Sequence, residues 1–156
     1  MIVNTWVADS EVIAVTKQKD DRLFKARFVD CRFKGTFSGI DFGKSHDVER
    51  DGDHGGVENC DFTEATLDGC RFFHVEPAAV KLPGWPHVAM VDLSQRADDI
   101  EAMTWPGQLG IYMKVCANQP ASMRIGVVHV PTLARLVHCS EQQIREAFEQ
   151  FGGLLM

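Results

Sequence analysis

The sequence predicts a mainly β first half followed by an α/β second half. Three observations carry that expectation. Large apolar residues recur every five positions between residues 26 and 74, prolines at 77, 83 and 86 close that pattern, and helix-capping signals appear beyond it. The boundary they define divides the 156 residues into an N-terminal cap and repeat region, 1–76, and a compact capping region, 77–156.

The repeat is read directly from the chain. Ala26-Arg27-Phe28-Val29-Asp30 is followed by Cys31-Arg32-Phe33-Lys34-Gly35. After a one-residue slip come Phe37 and, five positions on, Phe42. The pattern then returns as Cys60-Asp61-Phe62-Thr63-Glu64, Ala65-Thr66-Leu67-Asp68-Gly69 and Cys70-Arg71-Phe72-Phe73-His74, and Leu23 fits as an earlier member. A large apolar residue sits at the centre of each five, with Ala or Cys two positions before it. A period of five fits neither an amphipathic helix nor a plain strand. It fits a chain that turns a corner every five residues, pointing its small and large side chains inward and the other three to water. Stacked turns of such a chain pair their backbones and bury like side chains in ladders. The predicted core is therefore Ala26, Phe28, Cys31, Phe33, Phe37, Phe42, Cys60, Phe62, Ala65, Leu67, Cys70 and Phe72. The cysteines at the small inward positions read as packing residues rather than metal ligands, because a free thiol behaves as a small hydrophobe.

Residues about 21–74 resemble a pentapeptide-repeat protein, whose consensus is Ala-(Asp/Asn)-Leu-x-x. The match is sharpest in 26–35 and 60–74 and degraded between 36 and 59. The resemblance implies a short right-handed quadrilateral β-helix of about two coils. So short a solenoid needs covered ends, a role assigned to residues 1–20 on one side and 77–156 on the other.

Gly43 to Asn59 interrupts the repeat with a polar, glycine-rich, periodless stretch, which reads as a loop, 43–59. Its length is unusual for a compact domain, and loops of this kind often bind. Asp47, Glu49, Asp51, Asp53 and Glu58 are the candidate contacts for a partner. His46 and His54 stand among these carboxylates, but the spacing follows no metal-binding motif and lacks the order of an EF-hand loop. No metal and no cofactor are expected.

In the second half, His87 to Leu93 reads as a buried strand, and Ser94 as the cap of a helix running to about Thr104. Leu109 to Cys116 fits either a strand or a helix, leaning to strand, and Ser122 to Val130 reads as a strand with its β-branched residues. Pro131 suits the first position of a helix over Thr132 to His138. Ser140, with Gln143 three residues later, forms a capping-box pattern for a last helix that ends at Gly152-Gly153. Ile144, Ala147, Phe148 and Phe151 make its apolar stripe. Residues 132–151 also resemble a DNA-binding helix-turn-helix, with Ala134 and Ile144 where that motif packs its helices. The second helix carries Glu141, Glu146 and Glu149 against Arg145, a surface that phosphates repel. The turn lacks the expected glycine, and a plain helical hairpin accounts for the segment.

Charge and composition narrow the function. Residues 1–80 carry 10 Lys/Arg and 15 Asp/Glu, against 6 and 7 in residues 81–156, so most of the net charge of −6 lies in the first half. An acidic surface repels nucleic acid and anionic membrane and suits a basic protein. The five cysteines are odd in number with no Cys-x-x-Cys pair, the pattern of free thiols in the cytoplasm. No basic, apolar leader opens the sequence, and no apolar run approaches the ~20 residues of a membrane helix. No nucleophile motif, phosphate loop or His-Glu-x-x-His is present. The expectation is a non-enzymatic protein-binding module, in its sharpest form an immunity-type protein that neutralises a cognate toxin. The resemblance raises a DNA mimic that protects DNA gyrase, the helix pair raises a DNA-binding regulator, and an exposed coil end raises a structural or homo-oligomeric unit.

Overall fold

A computed structural model describes residues 5–19 and 26–156; Leu23 lies outside them. Among the described residues the first half holds eight strands: β1 (Thr5–Ala8), β2 (Glu11–Lys19), β3 (Ala26–Val29), β4 (Arg32–Ser38), β5 (Asp41–Gly43), β6 (Gly56–Glu58), β7 (Cys60–Asp68) and β8 (Cys70–Phe73). Between β5 and β6 lies a one-turn helix, α1 (Val48–Asp51). Beyond β8 follow β9 (Val80–Lys81), β10 (His87–Val91), α2 (Ala97–Ala102), α3 (Leu109–Ala117), β11 (Met123–His129), α4 (Val130–Val137) and α5 (Glu141–Phe151).

The strands form three sheets, ordered β1-β3-β6, β2-β4-β7-β9 and β10-β11-β8-β5. All pairs are parallel except β10–β11 and β11–β8. Three mostly parallel sheets with five α-helices make an α/β fold, which corrects the expectation of a mainly β protein built on a quadrilateral β-helix, or solenoid. The physical reason lies after His74. There the chain does not lay another parallel strand across β8. It crosses over and pairs β11 antiparallel to it, with Ile125 opposite Phe72 and Val127 opposite Cys70. Most of the remaining chain is then helical.

The inward positions of the fives are buried throughout, from Ala26 and Phe28 to Phe72. Parallel register puts equivalent positions side by side: Val7 beside Phe28 and Phe28 beside Val57, Val12 beside Phe33, Phe37 beside Leu67, Phe42 beside Phe72. The rings of Phe33 and Phe62 stack at 4.2 Å, those of Phe42 and Phe72 at 5.0 Å, and edge-to-face contacts tie the two stacks together. Offset and edge-on rings satisfy the aromatic quadrupole while removing apolar surface from water.

The corners between strands need left-handed backbone. Asp9, Asp30 and Asn59 all take positive φ, at 50°, 53° and 49°. Short side chains that hydrogen-bond locally tolerate this conformation better than others. These three align into a column, because the Asp9 N–H donates to Val29 O and the Asp30 N–H to Glu58 O.

A second core lies under the helices, built from Leu93, Ile100, Leu109, Met113, Leu133, Val137, Ile144 and Phe148 among others. Strands β10 and β11 separate the two cores. Ala89, Ile125 and Val127 face the first; Val88, Met90 and Val128 face the second. The segment 109–116, open between strand and helix in the sequence with a lean to strand, is helix α3. Leu109, Met113 and Ala117 recur every four residues on its buried face, while Ile111 and Val115 point to water. Ser94 caps no helix; a 3₁₀ turn over Leu93–Arg96 leads into the shorter α2. The capping box of Ser140 and Gln143 is present, and Pro131 stands in the first turn of α4. No helix among the described residues is long and apolar enough to cross a membrane.

Candidate protein-binding surface

The insertion 43–59 is ordered, with β6 at its end and α1 in its middle, rather than a periodless loop. Its polar residues bind one another. Asp47 caps α1, its Oδ1 accepting the Arg50 N–H at 3.0 Å. Ser45 Oγ donates to Asp51 Oδ2 at 2.6 Å and accepts the Asp47 N–H at 3.1 Å. Arg50 forks onto Asp51 through Nε and Nη2 at 3.0 and 2.9 Å. Lys44 Nζ lies 2.7 Å from Asp53 and holds its carboxyl below the usual range, by hydrogen bond and by charge. Glu58 pairs with Arg27 on the neighbouring strand β3. Of the five carboxylates singled out in the sequence, three therefore hold the insertion together, Glu58 ties it to β3, and Glu49 stands exposed at the tip of α1. His46 leans on the Phe73 ring and Asp53 turns to Lys44. Among the described residues no three His, Cys, Asp or Glu side chains gather as a metal would require.

Beside the insertion, a polar cleft of about 170 Å³ is lined by Asp41, Lys44, Ser45, Arg71 and Gln119 among others. Its base is a bidentate pair: Arg71 Nε and Nη2 donate to the Asp41 oxygens at 2.7 and 2.8 Å, while Nη1 reaches Gln119 Oε1 at 3.2 Å. Asp41 is buried, and this geometry clamps β5 and β8 to the end of α3.

The more open feature is one that sequence reasoning missed. The column of Asp9, Asp30 and Asn59 floors a groove of about 430 Å³, walled by Glu11, Asp61, Arg32 and Lys81. Asn59 Nδ2 donates to Asp30 Oδ1 at 2.5 Å. The Asp61 carboxylate accepts the Thr63 hydroxyl and N–H at 2.6 and 2.9 Å, which lowers its pKa. Glu11 is likewise lowered, by the hydrogen bond and charge of Lys34 at 2.9 Å. With Asp9 and Asp30, these two give the groove four carboxylates facing two cations, Arg32 and Lys81. The signal that could have revealed them is the recurrence of Asp or Asn two residues after an inward apolar residue: Val7 to Asp9, Phe28 to Asp30, Val57 to Asn59.

The thiols follow packing. Burial pushes Cys60 and Cys70 up to about 11, far from a nucleophile's range. In the helical pair α4–α5, Ala134 and Ile144 are buried where the two helices meet. His138 takes the left-handed turn position that a glycine was expected to fill, at φ 54°. The outward face of α5 carries Glu141, Glu146 and Glu149, with Arg145 drawn onto Glu149 at 3.0 Å. No protein-family model, no curated protein and no solved structure matches this chain.

Proposed function

We propose that the protein is a non-enzymatic module that binds a second, basic protein, and that the corner groove over Asp9, Asp30 and Asn59 is the docking surface. The observation that carries this reading is the groove itself. It is open to solvent, its carboxylates outnumber its cations, and rigid paired strands hold it in shape. A preorganised acidic groove gains from long-range attraction to a basic partner and loses little entropy when it docks. The ordered insertion, with Glu49 at its tip, is a second rigid contact element.

In its most specific form the protein is immunity-type: it covers the basic active cleft of a cognate toxin. A reducing, cytoplasmic setting suits the five unpaired thiols. The test is capture of tagged protein complexes from the source organism through a salt wash, followed by expression of the captured protein alone. A single basic partner, toxic alone and harmless when co-expressed with this chain, supports the immunity form. A basic partner with no toxicity leaves the binding module and removes the toxin. Capture of nucleic acid in place of protein contradicts both.

A further inference from the structure

Strand β7 has an edge that its neighbours do not cover. On one side it pairs with β4 along most of its length, but on the other β9 reaches only Cys60 and Asp61. Beyond them, the Leu67 N–H would point into a buried seam with no backbone acceptor. A buried amide left unpaired is costly, so such groups are almost always satisfied. Here the acceptor is a side chain: the Leu67 N–H donates to Nε2 of His87 at 3.1 Å.

His87 begins β10, so this bond joins the strands of the first core to the layer that carries the second. His87 is buried, 7% exposed as a residue. Because Nε2 accepts a hydrogen bond it carries no proton, and the proton sits on Nδ1, which faces Gly84 O at 3.2 Å. Both ring nitrogens are thus committed, and the neutral imidazole is the only form that satisfies both. The titratable groups facing it are His129, opposite on β11 with ring centroids 5.2 Å apart, and Asp68, beside Leu67 on β7.

We infer that His87 is an acid-sensitive latch, which closes the seam between β7 and β10 while its ring is neutral and releases it when the ring is protonated. A proton on Nε2 would set N–H against N–H at Leu67. It would also place a cation in a buried site beside the His129 ring. Asp68 opposes this only in part. Burial, the largest effect, holds the His87 pKa below its ordinary value. The latch therefore stays shut at neutral pH and opens in mild acid.

The test is a pH titration of the full-length protein by NMR, reading the His87 ring shifts and the Leu67 amide protection factor. The latch predicts an Nδ1–H tautomer at neutral pH and a His87 midpoint below the ~6.5 of a solvated histidine. Leu67 protection should fall by about tenfold or more across that midpoint, while amides of β4 keep theirs. His87→Gln keeps an acceptor near Nε2 but cannot titrate, so its Leu67 protection should not change with pH. Leu67 protection that is unchanged while His87 titrates overturns the latch, as does a midpoint at or above that of free histidine. The wild-type titration decides the matter by itself if His87→Gln does not fold.

Discussion

Replacing Phe62 with Ala tests whether the ladder of inward residues holds the first core together. Phe62 is fully buried, stacked on Phe33 at 4.2 Å and edge-on to Phe42 and Phe72 at 5.2 Å each. Truncating a buried Phe to Ala costs about 3–5 kcal/mol through lost transfer energy and the cavity left behind. Each aromatic pair contributes a further ~0.5–1.5 kcal/mol beyond its buried area, which moves the expectation to the upper end of that range. The rings of Phe33, Phe42 and Phe72 that surround Phe62 are themselves buried and packed on one another, so relaxation into the hole recovers little. Small domains are stable by only about 5–15 kcal/mol, so the variant should be barely folded or unfolded at 25 °C. Urea denaturation followed by far-ultraviolet circular dichroism reads the change as a fall in the midpoint at constant slope. Val15→Ala, at a residue 90% exposed, is the control and should change stability by less than about 0.5 kcal/mol. A loss below about 1 kcal/mol for Phe62→Ala would refute the ladder as the source of stability.

Other consequences follow from the same geometry. Asp51→Lys removes the acceptor of Ser45 and places a cation beside Arg50, so the insertion should loosen, with faster amide exchange over 45–54, whereas Glu49→Lys at the exposed tip should leave exchange unchanged. Thiol labelling of the native protein at pH 8 should reach the half-buried Cys139 first, and Cys60 and Cys70 only after denaturation, since burial holds the latter two at about 11; early labelling of Cys70 would contradict the packing. The depressed pKa of His87 gives stability a pH slope of definite sign. The unfolded chain takes up a proton near pH ~6.5 that the folded chain refuses until lower pH. The contribution is therefore complete above that pH and is lost as the pH falls towards the folded value. The urea midpoint should drop from pH 8 to pH 5.5 in the wild type and drop less in His87→Gln.

The parts of the fold legible in the sequence are those set by local spacing. Phe28, Phe33, Phe62 and Phe72 announce themselves as inward because five residues separate each from its neighbour in the pattern, and all are buried. The last helix was legible for the same reason, since Ser140 and Gln143 are three residues apart. What spacing cannot show is how a terminating pattern is finished. The antiparallel crossover of β11 onto β8 depends on residues fifty or more positions apart, and it turned an expected β-helix into an α/β fold. Segment 109–116 was open between strand and helix because its short apolar run fits both periods; its neighbours select helix by burying Leu109 and Met113 together. The carboxylates misled for a related reason. Arg27 and Glu58 are 31 residues apart, so nothing local reveals that Glu58 is already paired. The groove carboxylates were hidden instead by their role as corner residues, because Asp and Asn at a turn are read first as backbone formers.

The most direct test of the binding claim is calorimetry of the captured partner against the wild type and against Asp9→Asn/Asp30→Asn/Asp61→Asn. Asn tolerates the left-handed corners and keeps the Oδ1 acceptors that Asn59 and Thr63 use, so the fold should survive while the charge is lost. The account predicts affinity weakened by about tenfold or more, with a shallower salt dependence and unchanged circular dichroism. Equal affinity and equal salt dependence for the two proteins would place the partner on another surface and contradict it.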